Sequence, residues 1–431
     1  MNEKFISIKS ALEKGKGLVA VRGWVYRERG SNKLKFLVIR DSTDIVQCVL
    51  KREDFSDELW DKIDKLKIES SVELEGEIKP DSRAPTNFEI SVKEINIVHV
   101  AEDFPINKDL NEDLLGDRRH LWLRSLKMTA SMKIRSTILF AFHEYMHKKE
   151  FTEIHAPSMS GATSEGGSET FEVKYFDKKA YLTQSWQFYA ENFISAVGKA
   201  YAIAPSFRAE KSRTPWHVTE FWHFEVEAAW MDLFGDMELA EEAIEYAIKK
   251  VLEENKRELE ILDADILKLK KVKTPFKRVT YEEAIKLLQE KGHKIKPGDD
   301  FKSAEERSLA KYYGNEFVFV TNYPLKLLKF YHGESEEHPG YGMNFNLLAP
   351  EVGEMVDGSQ REPDLNKITE RLKKFGVDLG ASDWYLDSRR YGSVPHSGFG
   401  LGVERFAAWI CGFDTIKDSI PFPRTPTRLN P

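Results

Sequence analysis

The sequence predicts an α+β protein in two parts, a small all-β barrel followed by a larger domain in which helices and strands mix. Three observations predict it. Five runs of alternating apolar and polar residues fill residues 1–103, and a charged stretch of little periodicity follows at 104–120. Beyond it, over 121–431, strong helical periodicities interleave with strand-like runs in no regular βαβ order.

The five runs are GLVAVRGWVYRERG, KLKFLVIRDS, DIVQCVLK, SSVELEGEIKP and FEISVKEINIVHV, separated by Gly, Asn, Asp and Pro turns. DELWDKIDKLK reads as a helix between the third and fourth. Five strands with a helix after the third is the order of an OB-fold barrel, which binds single-stranded nucleic acid on one face. DFPINKDLNEDLLGDRRHLWLRS reads as a linker or hinge. MTASMKIRSTILFAFHEYMHKKE is a strong helix that runs into a strand-like FTEIHAPSMS ending at Pro157. DMELAEEAIEYAIKKVLEENKRELEILDADILKLKKV reads as one long amphipathic helical region.

The 431 residues are 41% hydrophobic and 31% charged, an ordinary globular composition. No apolar run is long enough to span a membrane, and MNEKFISIKS does not read as a signal peptide. Cys48 and Cys411 stand far apart in apolar surroundings, as buried thiols do; a cytosolic protein is expected. Net charge is −7, but residues 1–40 hold ten Lys or Arg against three Glu. That local excess is either a nucleic-acid patch or a solvated face.

Three stretches carry candidate chemistry. In FRAEKSRTPWHVTEF, Arg208 and Glu210 alternate as strand residues on one face do. They can neutralise each other, or Arg208 can take a phosphate by its planar fork while Glu210 accepts from an amino group such as that of adenine. Phe221, on the returning strand, can stack on a base, and His217 lies in the loop between them. In GSVPHSGFGLGVERFAAWI, Gly398, Gly400 and Gly402 alternate before Glu404 and Arg405 open a helix. Such a row marks close approach, either by a flat ligand or by packed backbone. In EVGEMVDGSQRE, Glu351, Glu354 and Asp357 precede Arg361, as a Mg²⁺ site beside a nucleotide or as a solvated acidic loop. No G-x-x-x-x-G-K-[ST] loop is present.

Read together, FRAE with its loop and EF, and GFGLGVER near the C-terminus, resemble motifs two and three of the class II aminoacyl-tRNA synthetases. The helix and strand ending at Pro157 resemble motif one, which implies a homodimer. The N-terminal barrel narrows the resemblance to the aspartyl, asparaginyl and lysyl subgroup, over essentially the whole chain. It implies a catalytic domain built on an antiparallel sheet flanked by helices, with ATP as substrate and Mg²⁺ as cofactor. Arg208 would bind the α-phosphate, Glu210 the adenine amine and Phe221 the ring. His217 and Arg405 would hold the γ-phosphate, and Gly402 would floor the adenine pocket. Glu354 and Asn346 would hold the metal, although the subgroup's asparaginyl members carry Asp where Asn346 stands. The loop's Trp216-His217-Val218 also departs from their Arg-His-Leu.

WYLDSRRYGSVPHSGFGLGVER is similar to the asparaginyl branch in particular. In QSWQFYAE the Lys with which aspartyl relatives pair the substrate carboxylate is replaced by Ala190, and their Asp is Glu225 here. A lost cation and a longer acceptor favour an amide over a carboxylate. The resemblance places Glu165 and Gln187 on the α-ammonium, and Ser185, Glu225 and Arg361 in the rest of the asparagine site. In the barrel, Phe36 would stack on the central anticodon base, Gln47 would read a base edge, and Arg27, in the basic excess, would bind the anticodon with them. Asparaginyl-adenylate formation and transfer to the 3′-terminal ribose of tRNA(Asn) are therefore expected. An aspartyl enzyme of relaxed tRNA specificity, an amide-forming relative and a non-catalytic tRNA-binding paralog remain the alternatives.

Overall fold

A computed structural model describes residues 4–106, 110–161, 169–212, 214–376 and 379–431. It separates into two compact units, Met1–Leu115 and Gly116–Pro431. Among the described residues no helix is long and apolar enough to cross a membrane.

In the first unit, α1 (Ile8–Lys14) precedes the strands β1 (Gly17–Ser31), β2 (Leu34–Arg40), β3 (Ile45–Lys51), β4 (Ser71–Pro80) and β5 (Phe88–His99), with α2 (Asp57–Asp64) between β3 and β4. The strands close into a barrel in the order β1-β2-β3-β5-β4, the OB-fold arrangement. Alternation builds it: Val19, Val21 and Val25 of β1 and Leu37 and Ile39 of β2 turn inward to one buried cluster. Helix α1 is not legible as strand alternation. Ser7 caps it, and Ile8 and Ala11 enter the same core.

In chain order come α3 (Glu112–Asp117), α4 (Arg119–Trp122), α5 (Leu126–Lys148), β6 (Thr152–Glu153), β7 (Met159–Ser160), β8 (Glu172–Tyr175), β9 (Lys178–Leu182), α6 (Gln187–Val197), β10 (Lys199–Phe207) and β11 (Glu220–Ala229). Then follow α7 (Leu233–Glu254), α8 (Lys256–Leu262), α9 (Ile266–Lys271), β12 (Lys277–Thr280), α10 (Tyr281–Glu290), α11 (Ser303–Tyr312) and β13 (Val318–Thr321). The chain ends through β14 (Asn344–Ala349), β15 (Gly353–Gln360), α12 (Leu365–Lys374), α13 (Leu379–Arg390), β16 (His396–Gly402) and α14 (Val403–Cys411).

Eight strands form one sheet in the order β12-β13-β14-β15-β16-β11-β10-β6. Its interior pairs are antiparallel; the edge pairs β12·β13 and β10·β6 are parallel. Helices α5, α7 and α14 cover one face, where Phe142 stacks on Phe224 with ring centroids 4.4 Å apart. The long helical region read from sequence is three helices, α7, α8 and α9. Asn255 leaves helical geometry after α7, and Asp263, at φ 55, turns the chain after α8. A two-residue β6 is all that the strand-like FTEIHAPSMS contributes to the large sheet.

Candidate active site

Strands β11 and β16 lie side by side in the middle of the large sheet, and the site is built where they meet β10, β14 and β15. β10 ends at Phe207, but Arg208 stays in register because its amide donates to the Thr219 carbonyl at 3.0 Å. Its guanidinium lies over the Phe221 ring, 5.3 Å from the centroid. His217 comes within 3.8 Å of Glu210, and burial together with nearby Arg405 pushes its pKa down.

α14 opens at Gly402 and presents Arg405 to the same space. Two contacts hold this end: Glu404 accepts from the Trp222 amide at 3.0 Å and pairs with buried Arg135 of α5 at 2.8 Å. Phe221 and Arg405 are thereby fixed through their chain neighbours. The glycines at the two ends of the row differ in what surrounds them. A Cβ at Gly398 would lie 2.2 Å from Glu227 Oε2, so that glycine admits packed protein. A Cβ at Gly402 would find nothing nearer than Arg405 at 3.8 Å, so this one leaves open floor.

Across β14 and β15, a register shift between Leu347 and Leu348 sets Glu354 against Leu348. The Asn346 amide then donates to Glu354 Oε2 at 2.9 Å, and Arg405 donates to the Glu354 carbonyl at 2.7 Å. Glu306 of α11, which nothing in its amphipathic helix signals, accepts from the Glu354 amide at 3.1 Å. Burial and then the Glu354 charge push Glu306 up to about 7. Glu351, in contrast, pairs with Lys268 at 2.9 Å and does not line the cavity. One carboxylate with a neutral amide is a donor set that fits Mg²⁺, which takes one or two protein carboxylates and completes its shell with water and phosphate.

At the other end, His223, Glu225 and Glu227 follow one another at period two on β11. Glu225 accepts from the Ser185 hydroxyl at 2.5 Å and the Trp186 amide at 3.0 Å. Arg361 donates to Glu227 through Nε at 3.1 Å and Nη2 at 2.9 Å, and to Ser359 Oγ through Nη1 at 2.9 Å. Glu227 follows Glu225 at the same alternation on β11, but none of the motifs legible in the sequence singles it out. Burial pushes its carboxyl up, while Arg361 opposes that shift. Gln187 donates to Glu191 at 2.8 Å. Burial opposes the ionisation of Glu191, yet Arg389 and His396 hold it well below the usual range. Ala190 is fully buried against Trp186 and Ile194 and does not line the cavity.

Arg208, Glu210, His217, Phe221, Gly402 and Arg405 line one cavity of about 440 Å³. The same cavity takes Ser185, Gln187, Glu225, Asn346, Glu354 and Arg361. Glu165 lies outside the described residues.

The barrel carries a second group. Arg29 of β1 stands opposite Phe36 of β2, its guanidinium 4.9 Å from the ring centroid, and donates to Gln47 Oε1 at 3.3 Å. Gln47 in turn donates to Glu89 at 3.3 Å. Arg27 lies instead over Tyr26, at 5.5 Å. Part of the basic excess is spent internally: Lys35 pairs with Glu28 and Asp64, and Arg40 with Glu69.

Residues 111–426 match the family described as tRNA synthetases class II (D, K and N), and residues 19–98 match the OB-fold nucleic acid binding domain. The chain is 44% identical to the asparagine–tRNA ligase of Thermoplasma acidophilum over 96% of both chains. It is 45% identical to that of Thermococcus kodakarensis, again over 96% of both. The solved asparaginyl-tRNA synthetase of Pyrococcus horikoshii, in complex with asparaginyl-adenylate, superposes with a TM-score of 0.95 at 43% identity, each chain covered completely. The chain belongs to the asparagine–tRNA ligases, within the class II synthetases of the aspartyl, lysyl and asparaginyl group.

Proposed function

We propose that the chain activates L-asparagine with ATP and transfers the asparaginyl group to the 3′-terminal ribose of tRNA(Asn). The observation that carries this reading is the polarity of the cavity. One end gathers Arg208, His217, Arg405 and an open Gly402 floor beside Phe221; the other presents Glu225 and an arginine already neutralised by Glu227.

In this reading Phe221 and Gly402 bracket adenine, Glu210 accepts from its amine, and Arg208 sits on the α-phosphate. Gln187 and Glu165 orient the asparagine ammonium. A substrate carboxylate oxygen attacks the α-phosphorus in line, the bond to the bridging oxygen breaks, and pyrophosphate leaves. Arg208 meets the charge that grows on the phosphoryl oxygens, and Arg405 and His217 meet that on the leaving group. Glu354 and the Asn346 amide oxygen would hold Mg²⁺, which supplies further charge neutralisation. The terminal ribose hydroxyl then attacks the asparaginyl carbonyl and releases AMP. Phe36, Arg29 and Gln47 form the anticodon platform, with a base stacked on the ring and polar groups reading its edge.

A homodimer is proposed through α5, whose Phe140 is exposed, on the strength of its likeness to motif one. The proposed compartment is the cytoplasm, which suits two buried, unbridged thiols.

Charging assays on tRNA(Asn) and tRNA(Asp) transcripts test the reading. Asparagine accepted by tRNA(Asn) is expected. Aspartate attached to either tRNA in its place contradicts it.

A further inference from the structure

At the Arg361 end the cavity holds a histidine to which the reaction so far assigns no work. His332 is 3% exposed and lines the cavity with Glu225, Glu227 and Arg361. Its backbone bridges that of Arg361 in antiparallel sense. The flanking bonds run from the Glu362 amide to the Tyr331 carbonyl at 2.9 Å and from the Gly333 amide to the Gln360 carbonyl at 2.8 Å. His332 and Arg361 are therefore a directly opposed, non-hydrogen-bonded pair, whose side chains leave from the same face with Cβ atoms about 5 Å apart. Since Arg361 runs to Glu227 and Ser359, His332 stands beside it.

The ring has one defined tautomer. Its Nδ1 lies 3.2 Å from the Lys329 carbonyl oxygen, and a carbonyl only accepts, so Nδ1 carries the proton and Nε2 a lone pair. Burial, then the charge of Arg361, pushes the ring's pKa down to about 3, which keeps it neutral near neutral pH.

We propose that His332 is a specificity-determining residue for asparagine, its Nε2 accepting one N–H of the substrate's side-chain amide beside Arg361. This rests on reading the cavity as an asparagine site. The amide offers one carbonyl and two N–H groups. Arg361 has five N–H groups, of which those on Nε and one on each Nη are taken by Glu227 and Ser359. The remaining two can meet the carbonyl. Glu225 accepts one N–H, and the second needs another acceptor, which His332 supplies. Aspartate brings no N–H to that place and sets a carboxylate oxygen against a lone pair. The low proton affinity of the ring denies aspartate the donor it would need. His332 is thus an attraction for the amide and a repulsion for the acid.

The test is ATP–pyrophosphate exchange titrated with asparagine and, separately, aspartate, for the wild type, His332→Leu and His332→Gln. The Leu variant is expected to raise the asparagine KM about tenfold or more while the ATP KM stays within about twofold, and to narrow the preference over aspartate. The Gln variant keeps a carbonyl acceptor and is expected to recover most of the selectivity. An unchanged asparagine KM in the Leu variant overturns the proposal, as does an equal loss for both amino acids accompanied by a lower melting temperature. Should the Leu variant fail to fold, His332→Met removes the acceptor with a closer volume and is read in the same way. A wild type that exchanges only with aspartate, or with neither, overturns the asparagine reading of the cavity and this assignment with it.

Discussion

Arg361 and Glu227 form a buried ion pair closed by Nε at 3.1 Å and Nη2 at 2.9 Å, with side chains 6% and 1% exposed. In the proposed reading the pair turns what would be a cationic pocket, suited to a carboxylate, into a polar one suited to an amide. Glu227→Gln should therefore do two things. Leaving Arg361 with a bare charge destabilises the fold by about 3 kcal/mol, and it raises exchange with aspartate relative to asparagine. Urea denaturation reads the first and exchange kinetics the second.

In the proposed reaction Arg208 meets charge that develops only as the α-phosphorus is attacked. Arg208→Ala is expected to lower asparagine-dependent exchange by about a hundredfold or more, while the melting temperature shifts by no more than about 2 °C. Single-turnover adenylate formation, measured beside a thermal melt, separates the two effects.

The glycine row of β16 predicts opposite outcomes at its two ends. Gly398→Ala drives a methyl to 2.2 Å from both Glu227 Oε2 and the Val226 carbonyl, and should destabilise the chain by about 1–3 kcal/mol. Gly402→Ala meets no atom closer than 3.8 Å and should leave stability unchanged while raising the ATP KM. Denaturation midpoints and ATP titrations of the two variants check the contrast.

Glu306 gives a pH dependence whose sign follows from its shift. Burial and Glu354 raise its pKa from an ordinary 4.5 to about 7. Between those values the folded chain holds a proton that the unfolded chain has released, so the Glu306 contribution to stability falls as pH rises through that window and is flat above it. Glu306→Gln keeps an oxygen acceptor for the Glu354 amide and should remove this part of the slope. Denaturation of both proteins at several values from about pH 5 to pH 8 measures it.

In the barrel, Arg29 and Phe36 are expected to act on tRNA alone. Replacing either by Ala should raise the tRNA KM, by an amount corresponding to about 1–3 kcal/mol for the stacking ring, and leave pyrophosphate exchange at its wild-type rate. Charging and exchange assays run on the same preparation decide it.

Strand β4 was legible because buried and more exposed residues alternate along it, so period two survives in the letters, whereas β3, buried at each residue from Ile45 to Cys48, was legible as a short apolar run between turns. The pairing of Arg29 with Phe36 was not, because it depends on which residues stand opposite across the β1–β2 register. Motif residues such as Arg208 and Arg405 could be named from local pattern. The contacts that hold them could not: Arg135 with Glu404, and Glu306 with the Glu354 amide, join positions far apart in the chain. Glu227 lay in plain view two residues after Glu225, but its partner Arg361 comes from a different strand region. The break of one amphipathic stretch into α7, α8 and α9 turns on Asn255 and Asp263, polar residues that a continuous helix face accommodates equally well.

The measurement that bears most directly on the central claim is asparagine-dependent exchange of pyrophosphate into ATP, set against the same reaction with aspartate. An amide-selective cavity predicts exchange with asparagine and little or none with aspartate, with selectivity narrowing in Glu227→Gln. Equal exchange with both amino acids, or exchange with aspartate alone, would contradict the roles assigned to Glu225, Glu227 and Arg361.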